Sequence, residues 1–428
     1  MTLDKRGLLI IGGVVAFVAL MIFIFVGALP GRNVGQGPQN VTLTMWGVAD
    51  SPGDLEEILK SYRETFTADV RYQQFSEDEY ENKLLDALAS GKGPDIYAIK
   101  NTWLPRYLDK LVPVPVEQFS LRDLESNFVE VIKADMVSEQ KIYGLPWYAD
   151  TLALIYNRNI FNSEGVATPP KTWDNFAQVS QQLTRQEGIL GAINRAGAAL
   201  GRADNIDHFN DIISLLLMQA GEKMNDSLTR GTSFDRAGGP QVLDFYVSFA
   251  KPGNVNQSWD GSLPSSLEAF ATGRAAMILG YATDLSYITA RSPQLTYSVA
   301  PIPQPTGATT KISYAGYWAW AVSNRSNNSQ LAWQLIAYVA RSENLLTDYL
   351  IKSHRGPALR SLIPNFQTDP VLGVFAEQNL TAKTWYQRDE TAVSRILANM
   401  INSVLGGSAD SHRALREASQ QVDVILQR

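Results

Sequence analysis

Aromatic rings and a carboxylate stand side by side near the first third of the chain, where residues 143–161 read YGLPWYADTLALIYNRNIF. Trp147, Tyr148 and Asp150 form a tight group between two apolar runs. Such a group is compatible with ordinary core packing, and equally with a surface that holds a ligand. On such a surface, a Trp or Tyr face covers C–H groups of a ring, and a carboxylate accepts hydrogen bonds from hydroxyls.

Residues of the same types follow two stretches with strand character. Trp46 and Asp50 come at and after the end of VTLTMW, and Lys100, Asn101 and Trp103 come after DIYAI. In open α/β sheets, ligands bind beyond the carboxyl ends of the strands. These side chains are therefore candidates for one binding site.

The residue types favour a sugar as the ligand. Trp and Tyr can cover the apolar face of a sugar ring, and Asp, Asn and Arg can bond its edge hydroxyls. An amino acid would also need a cation for its carboxylate, and Arg355 is the candidate for that role. A peptide ligand stays open, because Trp-rich walls suit peptides as well.

Catalysis is the alternative that the carboxylates raise. Asp50, Asp150 and Asp284 could supply the acid and nucleophile of a glycoside hydrolase. However, carboxylates also bind sugar hydroxyls without any chemistry, and the sequence has no GxSxG, GxxxxGK[ST] or GxGxxG motif. We expect a binding protein and not an enzyme.

Composition excludes several other classes. The net charge of −6 lacks the basic field that nucleic acid requires. There is no cysteine, and His208, His354 and His412 do not form an HxH or HExxH motif, so we expect no metal and no cofactor. The length of 428 residues predicts two domains.

The N-terminal region has the pattern of a membrane anchor. Residues 8–29 read LLIIGGVVAFVALMIFIFVGAL without a charge, and a helix of this length is about 33 Å long, enough to span a bilayer. Lys5 and Arg6 precede it, which predicts a cytoplasmic tail of residues 1–7 and an extracellular body. A cleaved signal peptide is the alternative, but its apolar region is normally about 7–15 residues long. Residues 30–40 predict a flexible linker.

The remainder of the chain alternates strand and helix patterns. VTLTMW (41–46), VRYQQF (70–75) and DIYAI (95–99) predict strands, and apolar residues recur at helical spacing between them. This order predicts parallel strands with helical crossovers, the doubly wound α/β class. A second set follows, in which AAMILGY (275–281) and LTYSVAPIP (295–303) predict buried strands.

Several stretches, in this order, carry a family resemblance: LTMWGVAD, GKGPDIYAI, YGLPWYADTLALIYNRNIF, PPKTWDNF, LEAFATGRAAMILGY, PIPQPTG, NSQLAWQLIAYVARSENL and MINSVLGGSADSHRALREAS. The chain from about residue 41 to 428 resembles the family 1 extracellular solute-binding proteins of ABC importers. The resemblance implies a two-lobed periplasmic-binding-protein-like fold of type II, with doubly wound sheets, a hinge and a ligand cleft. It implies a first lobe of 41–151 with about 318–355, and a second lobe of 157–315 with about 375–428.

The resemblance also implies which positions contact the ligand: Trp46, Asp50, Asn101, Trp103, Trp147, Asp150, Tyr281, Asp284, Trp318, Trp385 and Tyr386. Packing in the hinge is the alternative for Trp147 and Tyr148. The implied function is capture of a sugar or oligosaccharide by hinge closure, and its delivery to the permease subunits of an ABC importer. We expect a monomer, held in the cell membrane by residues 8–29, with its C-terminal domain outside the cell. A binding protein for a sensor partner is the alternative with the same body.

Overall fold

The computed structural model describes most of the chain beyond the predicted linker, namely residues 41–66, 68–188, 191–225, 231–236 and 238–427. The predicted cytoplasmic tail, transmembrane segment 8–29 and linker lie outside the described residues. Within the described ranges, no helix combines the length and the apolar character needed to cross a bilayer.

Strands and helices alternate along the described residues and are numbered here in chain order. The strands are β1 (Thr42–Gly47), β2 (Asp69–Gln74), β3 (Ile96–Lys100), β4 (Leu111–Val112), β5 (Val137–Ser138), β6 (Lys141–Ile142), β7 (Ala153–Asn157), β8 (Arg185–Gln186), β9 (Ile193–Arg195), β10 (Met277–Gly280), β11 (Tyr297–Ala300), β12 (Ser313–Tyr314), β13 (Trp318–Ser323) and β14 (Ala382–Lys383). The α-helices are α1 (Pro52–Phe66), α2 (Glu77–Ala89), α3 (Leu104–Tyr107), α4 (Leu121–Asn127), α5 (Glu130–Met136), α6 (Arg158–Ser163), α7 (Trp173–Leu183), α8 (Phe209–Gln219), α9 (Gly239–Ser248), α10 (Ser266–Ala271), α11 (Asp284–Arg291), α12 (Ser329–Arg341), α13 (Glu343–Ser353), α14 (Ile363–Phe366), α15 (Leu372–Gln378), α16 (Glu390–Leu405) and α17 (Ser411–Gln427).

The first lobe is built on a sheet with the strand order β2-β1-β3-β13-β4. The predicted strands 41–46, 70–75 and 95–99 are confirmed as β1, β2 and β3, and β1 pairs in parallel with both others. β13 joins them antiparallel to β3, with Trp318 opposite Lys100. The start of β13 therefore lies beside the carboxyl end of β3, where a ligand is expected.

Apolar stripes attach the helices to this sheet. In α1, Leu55, Ile58 and Tyr62 recur at helical spacing and are buried. In α2, Tyr80 and Leu84 are buried, and the Tyr80 hydroxyl donates to the Ala98 carbonyl in β3 at 2.8 Å. Burial of each such side chain stabilises the lobe by about 1.5–3 kcal/mol.

The second lobe has a different sheet, with the order β10-β7-β11. The predicted strands 275–281 and 295–303 are confirmed as β10 and β11. Both pair antiparallel to β7, so the parallel order expected of a doubly wound sheet is not met there. The reason is that β7 enters directly from the first lobe and has no crossover helix before it.

The chain passes between the lobes in adjacent segments that form the hinge. Thr151 pairs with Ala315 in an isolated antiparallel bridge, and the Leu152 amide donates to the Tyr314 carbonyl at 2.9 Å. The Gln378 side chain donates to Thr151 Oγ1 at 3.1 Å, which ties the end of α15 to the same place. Side-chain and backbone bonds together hold the crossings in register.

Each lobe has its own apolar core, and α15 joins the two. Leu372 and Ala376 of α15 pack in the first core, whereas Phe375 packs in the second. The first core also contains Leu362 and Phe366, which lie beyond the sequence-derived limit of about 355. The first core therefore includes side chains of α14 and of part of α15.

Candidate ligand cleft between the two lobes

A cleft of about 510 Å³ lies between the two lobes. Its walls combine aromatic rings with charged and polar side chains: Gln74, Glu77, Lys100, Tyr148, Trp318 and Arg355 from the first lobe, and His208, Asp211, Tyr281 and Thr283 from the second. This volume is typical of small-molecule sites. A larger groove of about 980 Å³ beside Tyr297 and Ile351 is lined mainly by apolar groups, so the smaller cleft fits a hydroxyl-bearing ligand better.

Gly316 stands at the base of this cleft, in one of the hinge crossings. A Cβ atom at this position would lie 2.8 Å from the Tyr281 ring. The missing side chain therefore makes room for that ring, and the backbone of the hinge itself becomes part of the cleft lining.

The second-lobe wall carries a polar network, here called the His208 cluster (His208, Asp211, Tyr281 and Asp284). The Tyr281 hydroxyl donates to Asp211 Oδ2 at 2.8 Å, and the Tyr281 amide donates to Asp284 Oδ2 at 2.7 Å. His208 Nε2 lies 2.9 Å from the same Asp284 oxygen, and its ring contacts the Tyr281 ring edge to face. The cluster thus holds a hydroxyl, an imidazole and a carboxylate in one rigid arrangement.

The charge of His208 follows from its neighbours. Burial alone would lower the pKa of His208, but the Asp284 carboxylate, with Asp211 and Asp207, raises it to about 9. The imidazole is therefore protonated at neutral pH and forms an ion pair with Asp284. Burial raises the pKa of the Tyr281 hydroxyl, which stays a neutral hydrogen-bond donor.

Behind the first-lobe wall lies a second network, the Asp50 cluster (Asp50, Tyr72, Tyr349 and Arg355). Asp50 pairs with Arg355 Nη1 and accepts a hydrogen bond from the Tyr349 hydroxyl at 2.6 Å. Tyr72 donates to the Asp50 carbonyl. Asp50 is only 2% exposed, and its charge is satisfied inside the lobe by Arg355. Arg355 is 4% exposed and also lines the cleft, and its buried Nε has no hydrogen-bond partner among the described residues. Sequence reasoning had placed Asp50 at the ligand and Arg355 as a carboxylate-binding cation, whereas the structure pairs them with each other.

Trp318 presents the aromatic surface of the first-lobe wall. Its ring is half-buried and stands edge to face against Tyr80 and Trp103, at centroid distances of 5.6 and 5.2 Å. Trp103 is stacked on Tyr107 at 5.2 Å, with an interplanar angle of 9°. These neighbours hold the Trp318 ring in place where it lines the cleft, so it offers a preformed aromatic surface, here called the Trp318 platform.

Asp150 lies in the first hinge crossing and is 1% exposed. Its carboxylate accepts hydrogen bonds from the backbone amides of Thr151, Ala282 and Thr283, at 2.8, 3.1 and 3.2 Å. Ala282 and Thr283 immediately precede α11 of the second lobe, so Asp150 pins the crossing to that lobe. Burial raises the pKa of Asp150 to about 7, although the backbone amides oppose this shift.

Asn101 takes part in a neighbouring hinge network and is 3% exposed. Its side chain donates to Asp135 Oδ2 and to the Ala315 carbonyl, both at 3.3 Å. The Tyr317 hydroxyl donates to the same Asp135 oxygen at 2.7 Å. Burial raises the pKa of Asp135 to about 6. Asn101 therefore organises the hinge in this structure and does not line the cleft.

The other predicted aromatic residues also lie away from the cleft. Trp147 is buried against Trp320 in the first lobe and donates to the Ile336 carbonyl. Trp385 is buried in the second lobe and donates to Ser214 Oγ at 3.1 Å. Tyr386 packs half-buried on the second core, and Trp46 packs half-buried against a first-lobe phenylalanine.

A second cavity of about 720 Å³ adjoins the cleft, because Glu77 and Lys100 line both. Trp103, which is 9% exposed, lines this second cavity together with Arg106 and Glu390. Lys100 Nζ lies 2.7 Å from Glu390 Oε1, and this ion pair joins the first lobe to the second.

Sequence reasoning missed His208 and Asp211 as cleft residues. They lie at and just inside the start of α8, three residues apart, so they face the same side of the helix. His208 has a left-handed backbone with φ of 59°. The preceding stretch, 191–207, has no pattern that points to a ligand. A polar pair at a helix start is the one local signal that could have indicated them.

The chain matches the family model described as bacterial extracellular solute-binding protein over residues 57–373. The maltotriose-binding protein of Pyrococcus abyssi is 21% identical over 351 residues, which cover 76% of this chain and 69% of that protein. A solute-binding protein of Thermotoga lettingae, solved with α-D-tagatose, is 25% identical with a TM-score of 0.74, covering 90% of this chain and 100% of that one. A cyclic α-maltosyl-1,6-maltose-binding protein of Arthrobacter globiformis is 20% identical with a TM-score of 0.76, covering 91% and 100%. The two-lobed α/β fold predicted from the sequence is thereby confirmed.

Proposed function

The chain belongs to the bacterial extracellular solute-binding proteins, and we propose that it captures a sugar or oligosaccharide and delivers it to the membrane subunits of an ABC importer. The relatives support a carbohydrate: one is a maltotriose-binding protein, and one was solved with α-D-tagatose. The observation that carries the proposal is the cleft itself, where the Trp318 platform faces the polar His208 cluster.

The two walls divide the recognition of a sugar between them. The Trp318 platform covers the apolar C–H face of a ring. The Asp211 carboxylate and the Tyr281 hydroxyl lie on the opposite wall and can exchange hydrogen bonds with ring hydroxyls. Lys100 and Glu77 add a donor and an acceptor at one side. A neutral ligand rich in hydroxyls satisfies this mixture of groups better than an anion would.

Closure of the hinge is the proposed mechanism. Neither wall encloses a ligand alone, so a bound sugar contacts both only when the lobes are together, and these extra contacts favour the closed form. A shift from mostly open to mostly closed requires about 5 kcal/mol of differential binding. One stacking contact and several hydrogen bonds are of that order.

The predicted site residues divide into two roles in this proposal. Trp318 and Tyr281 contact the ligand directly. Asp284 does not line the cleft and acts by orienting His208, which does. The remaining predicted residues support the site from behind or lie beside it: Trp46, Asp50, Asn101, Trp103, Trp147, Asp150, Trp385 and Tyr386. In this proposal Trp147 packs in the first lobe and Asp150 holds the hinge, and neither contacts the ligand.

The carboxylates support binding without catalysis. A glycoside hydrolase needs two carboxyl groups that face one scissile bond. Asp50 is paired with Arg355 inside the lobe, and Asp150 is held by backbone amides in the hinge. Asp284 is paired with His208. None of these groups is free to act as an acid and nucleophile pair.

We also propose that residues 8–29 anchor the protein in the cell membrane, with the lobes outside. The uncharged run and the preceding Lys5 and Arg6 support this topology. A tether would raise the local concentration of the protein near its permease. Deletion of residues 1–36 should release the protein from the membrane fraction, and persistent membrane association would reject the anchor.

A thermal-shift screen of the protein without residues 1–36 tests the sugar proposal. The panel contains monosaccharides, maltose to maltotetraose, mannobiose and mannotriose, with amino acids and short peptides as rivals. A ligand that binds only the folded state raises the melting temperature. We expect at least one sugar to do so, with a dissociation constant confirmed by calorimetry. A response confined to amino acids or peptides would reject the carbohydrate assignment.

A further inference from the structure

One carboxylate of the second lobe collects hydrogen-bond donors from the first lobe. Glu390, the first residue of α16, lies 2.7 Å from Lys100 Nζ at the end of β3. Its other oxygen accepts from Trp103 Nε1 at 3.3 Å and from Thr102 Oγ1 at 3.4 Å. These contacts cross from one lobe to the other, so a separation of the two walls at this point would break them.

Lys100 has a second partner on its own lobe. Glu77 Oε1 lies 3.6 Å from Lys100 Nζ, whereas Glu390 lies at 2.7 Å. Burial opposes the charge of Lys100, but Glu390, Asp211 and Glu77 raise its pKa above the usual value, so the ammonium is charged at every physiological pH. When the lobes separate, Lys100 can keep Glu77 as its partner. Opening therefore does not leave the ammonium unpaired, which lowers the free-energy cost of breaking its contact with Glu390.

The same ion pair stands where the two interlobe cavities meet. The cleft of about 510 Å³ and the cavity of about 720 Å³ share Lys100 and Glu77, and Glu390 lines only the second. The aromatic surface, by contrast, continues across this boundary. Trp318 lines the first cavity and Trp103 the second, and their rings are in edge-to-face contact at 5.2 Å. The Lys100–Glu390 ion pair, here called the partition, thus lies between the two cavities, while the Trp318 and Trp103 rings line both sides of this boundary.

We infer that Glu390 is a latch that binds the first lobe on closure, and that its ion pair with Lys100 divides the interlobe space, so that the latch determines the length of sugar that binds. A short sugar occupies the cleft at Trp318 and leaves the latch closed. A longer oligosaccharide extends over Trp103 and displaces Glu390 from its donors. The length assignment rests on the proposed sugar function, whereas the latch itself does not.

The latch is tested without any sugar by measuring the distance between the lobes. Since the sequence contains no cysteine, Lys92→Cys in the first lobe and Lys251→Cys in the second give two unique labelling sites on exposed residues. Single-molecule energy transfer on the full-length chain then reports open and closed populations. Glu390→Gln and Lys100→Met should each raise the open-to-closed ratio, by up to about fivefold. Added salt should act in the same direction on the unsubstituted chain.

Glu125→Gln is the matched control, since Glu125 pairs with Lys133 at 2.6 Å within the first lobe and touches neither cavity. It should leave the populations unchanged, and a melting curve for each variant verifies folding. An unchanged distribution in both Glu390→Gln and Lys100→Met overturns the latch.

The partition is tested by affinity for a disaccharide and a tetrasaccharide of one linkage, chosen from the sugars that bind. Glu390→Gln should shift the ratio of the two dissociation constants by about fivefold in favour of the tetrasaccharide, because the longer ligand no longer displaces an ion pair. If Glu390→Gln raises the open population but leaves the ratio of the two dissociation constants unchanged, the ion pair does not determine the length of sugar that binds. If no sugar binds the unsubstituted protein, the proposed function fails, while the energy-transfer result still decides the latch.

Discussion

The Asp50 cluster and the His208 cluster use the same kinds of side chain for opposite purposes. Each joins a carboxylate, a cation and a tyrosine hydroxyl. In the first lobe the Asp50 carboxylate is sealed, at 2% exposed, and of its cluster only Arg355 reaches the cleft lining. The His208 cluster opens into the cleft, and 27% of the His208 side chain is exposed.

This contrast teaches that residue type alone does not separate a binding group from a structural one. A sealed ion pair has already exchanged its water for protein partners, so loss of one partner leaves a buried charge and lowers stability. An exposed cluster keeps hydrogen-bonding capacity for a ligand, so loss of one member lowers affinity. Substitutions in the two clusters should therefore separate stability from binding.

Asp50→Ala should give the largest effect. It leaves the Arg355 guanidinium buried without its carboxylate, and the free energy of unfolding of the first lobe should fall by about 3–5 kcal/mol. Urea titration followed by circular dichroism measures this loss. Glu125→Ala, which breaks an exposed ion pair with Lys133, should cost less than about 1 kcal/mol. Equal losses in the two variants would contradict the sealed status of Asp50.

A second buried carboxylate, Asp150, has backbone amides as partners and no cation. Its titration should be visible in how the free energy of unfolding changes with pH. Its pKa is raised to about 7 in the folded protein and is about 3.9 in an unfolded chain. Between these values the folded state binds more protons, so the free energy of unfolding should decrease as pH rises, and Asp150 alone should contribute about 2.6 kcal/mol of this decrease from pH 5 to pH 8.

Asp150→Asn should flatten this dependence, since the variant has no proton to lose at that position. Urea titrations of both proteins at pH 5, 6, 7 and 8 make the comparison. A residual slope of the same sign is expected in the variant from His208, whose pKa is raised to about 9, and from Asp135, whose pKa is raised to about 6. Identical slopes in the two proteins would show that Asp150 is not the group that titrates.

Trp318→Ala should weaken sugar binding by about tenfold, close to 1.4 kcal/mol. It should also lower the melting temperature, because the ring packs against Tyr80 and Trp103. The substitution removes the half-buried ring on which the ligand is proposed to stack. Calorimetry with the best sugar of the panel measures the affinity. Tyr287→Ala is the control, because Tyr287 is an exposed aromatic residue that does not line the cleft. Undiminished affinity in Trp318→Ala would place the ligand elsewhere.

Tyr281→Phe should have the smallest effect. It removes the hydroxyl that donates to Asp211 at 2.8 Å but keeps the ring that fills the space at Gly316. A loss of about 1 kcal/mol in affinity, roughly fivefold, is expected, with stability almost unchanged. A loss of several kcal/mol in unfolding free energy would show that the His208 cluster is structural, like the Asp50 cluster.

Much of the fold follows from local patterns in the sequence. β1, β2 and β3 were predicted within a residue at each end, because apolar alternation and helical spacing are short-range signals. The start of α7 is equally local, since the Thr172 hydroxyl accepts a hydrogen bond from the Asn175 amide at 3.3 Å. The antiparallel pairing of β7 was not predicted, since pairing direction depends on how the chain enters the lobe.

The candidate site was less accessible to sequence reasoning. Trp318 and Tyr281 were predicted and line the cleft, but Trp147 and Trp385 were predicted by the same argument and are buried. Nothing local distinguishes these four aromatic residues. His208 is held at the cleft by its contact with Asp284, which is 76 positions away in the sequence, and no motif indicates this contact.

The sequence by itself determined the class of the protein: the order of strands and helices, the family and the candidate residues at strand ends, all of which depend on neighbours along the chain. The tertiary structure alone decided which candidates face the cleft and which are sealed. Asp50 meets Arg355 across 305 positions, and Trp147 meets Ile336 across 189. The physical reason is that exposure depends on what packs against a side chain, and these partners come from distant segments that only the folded chain brings together.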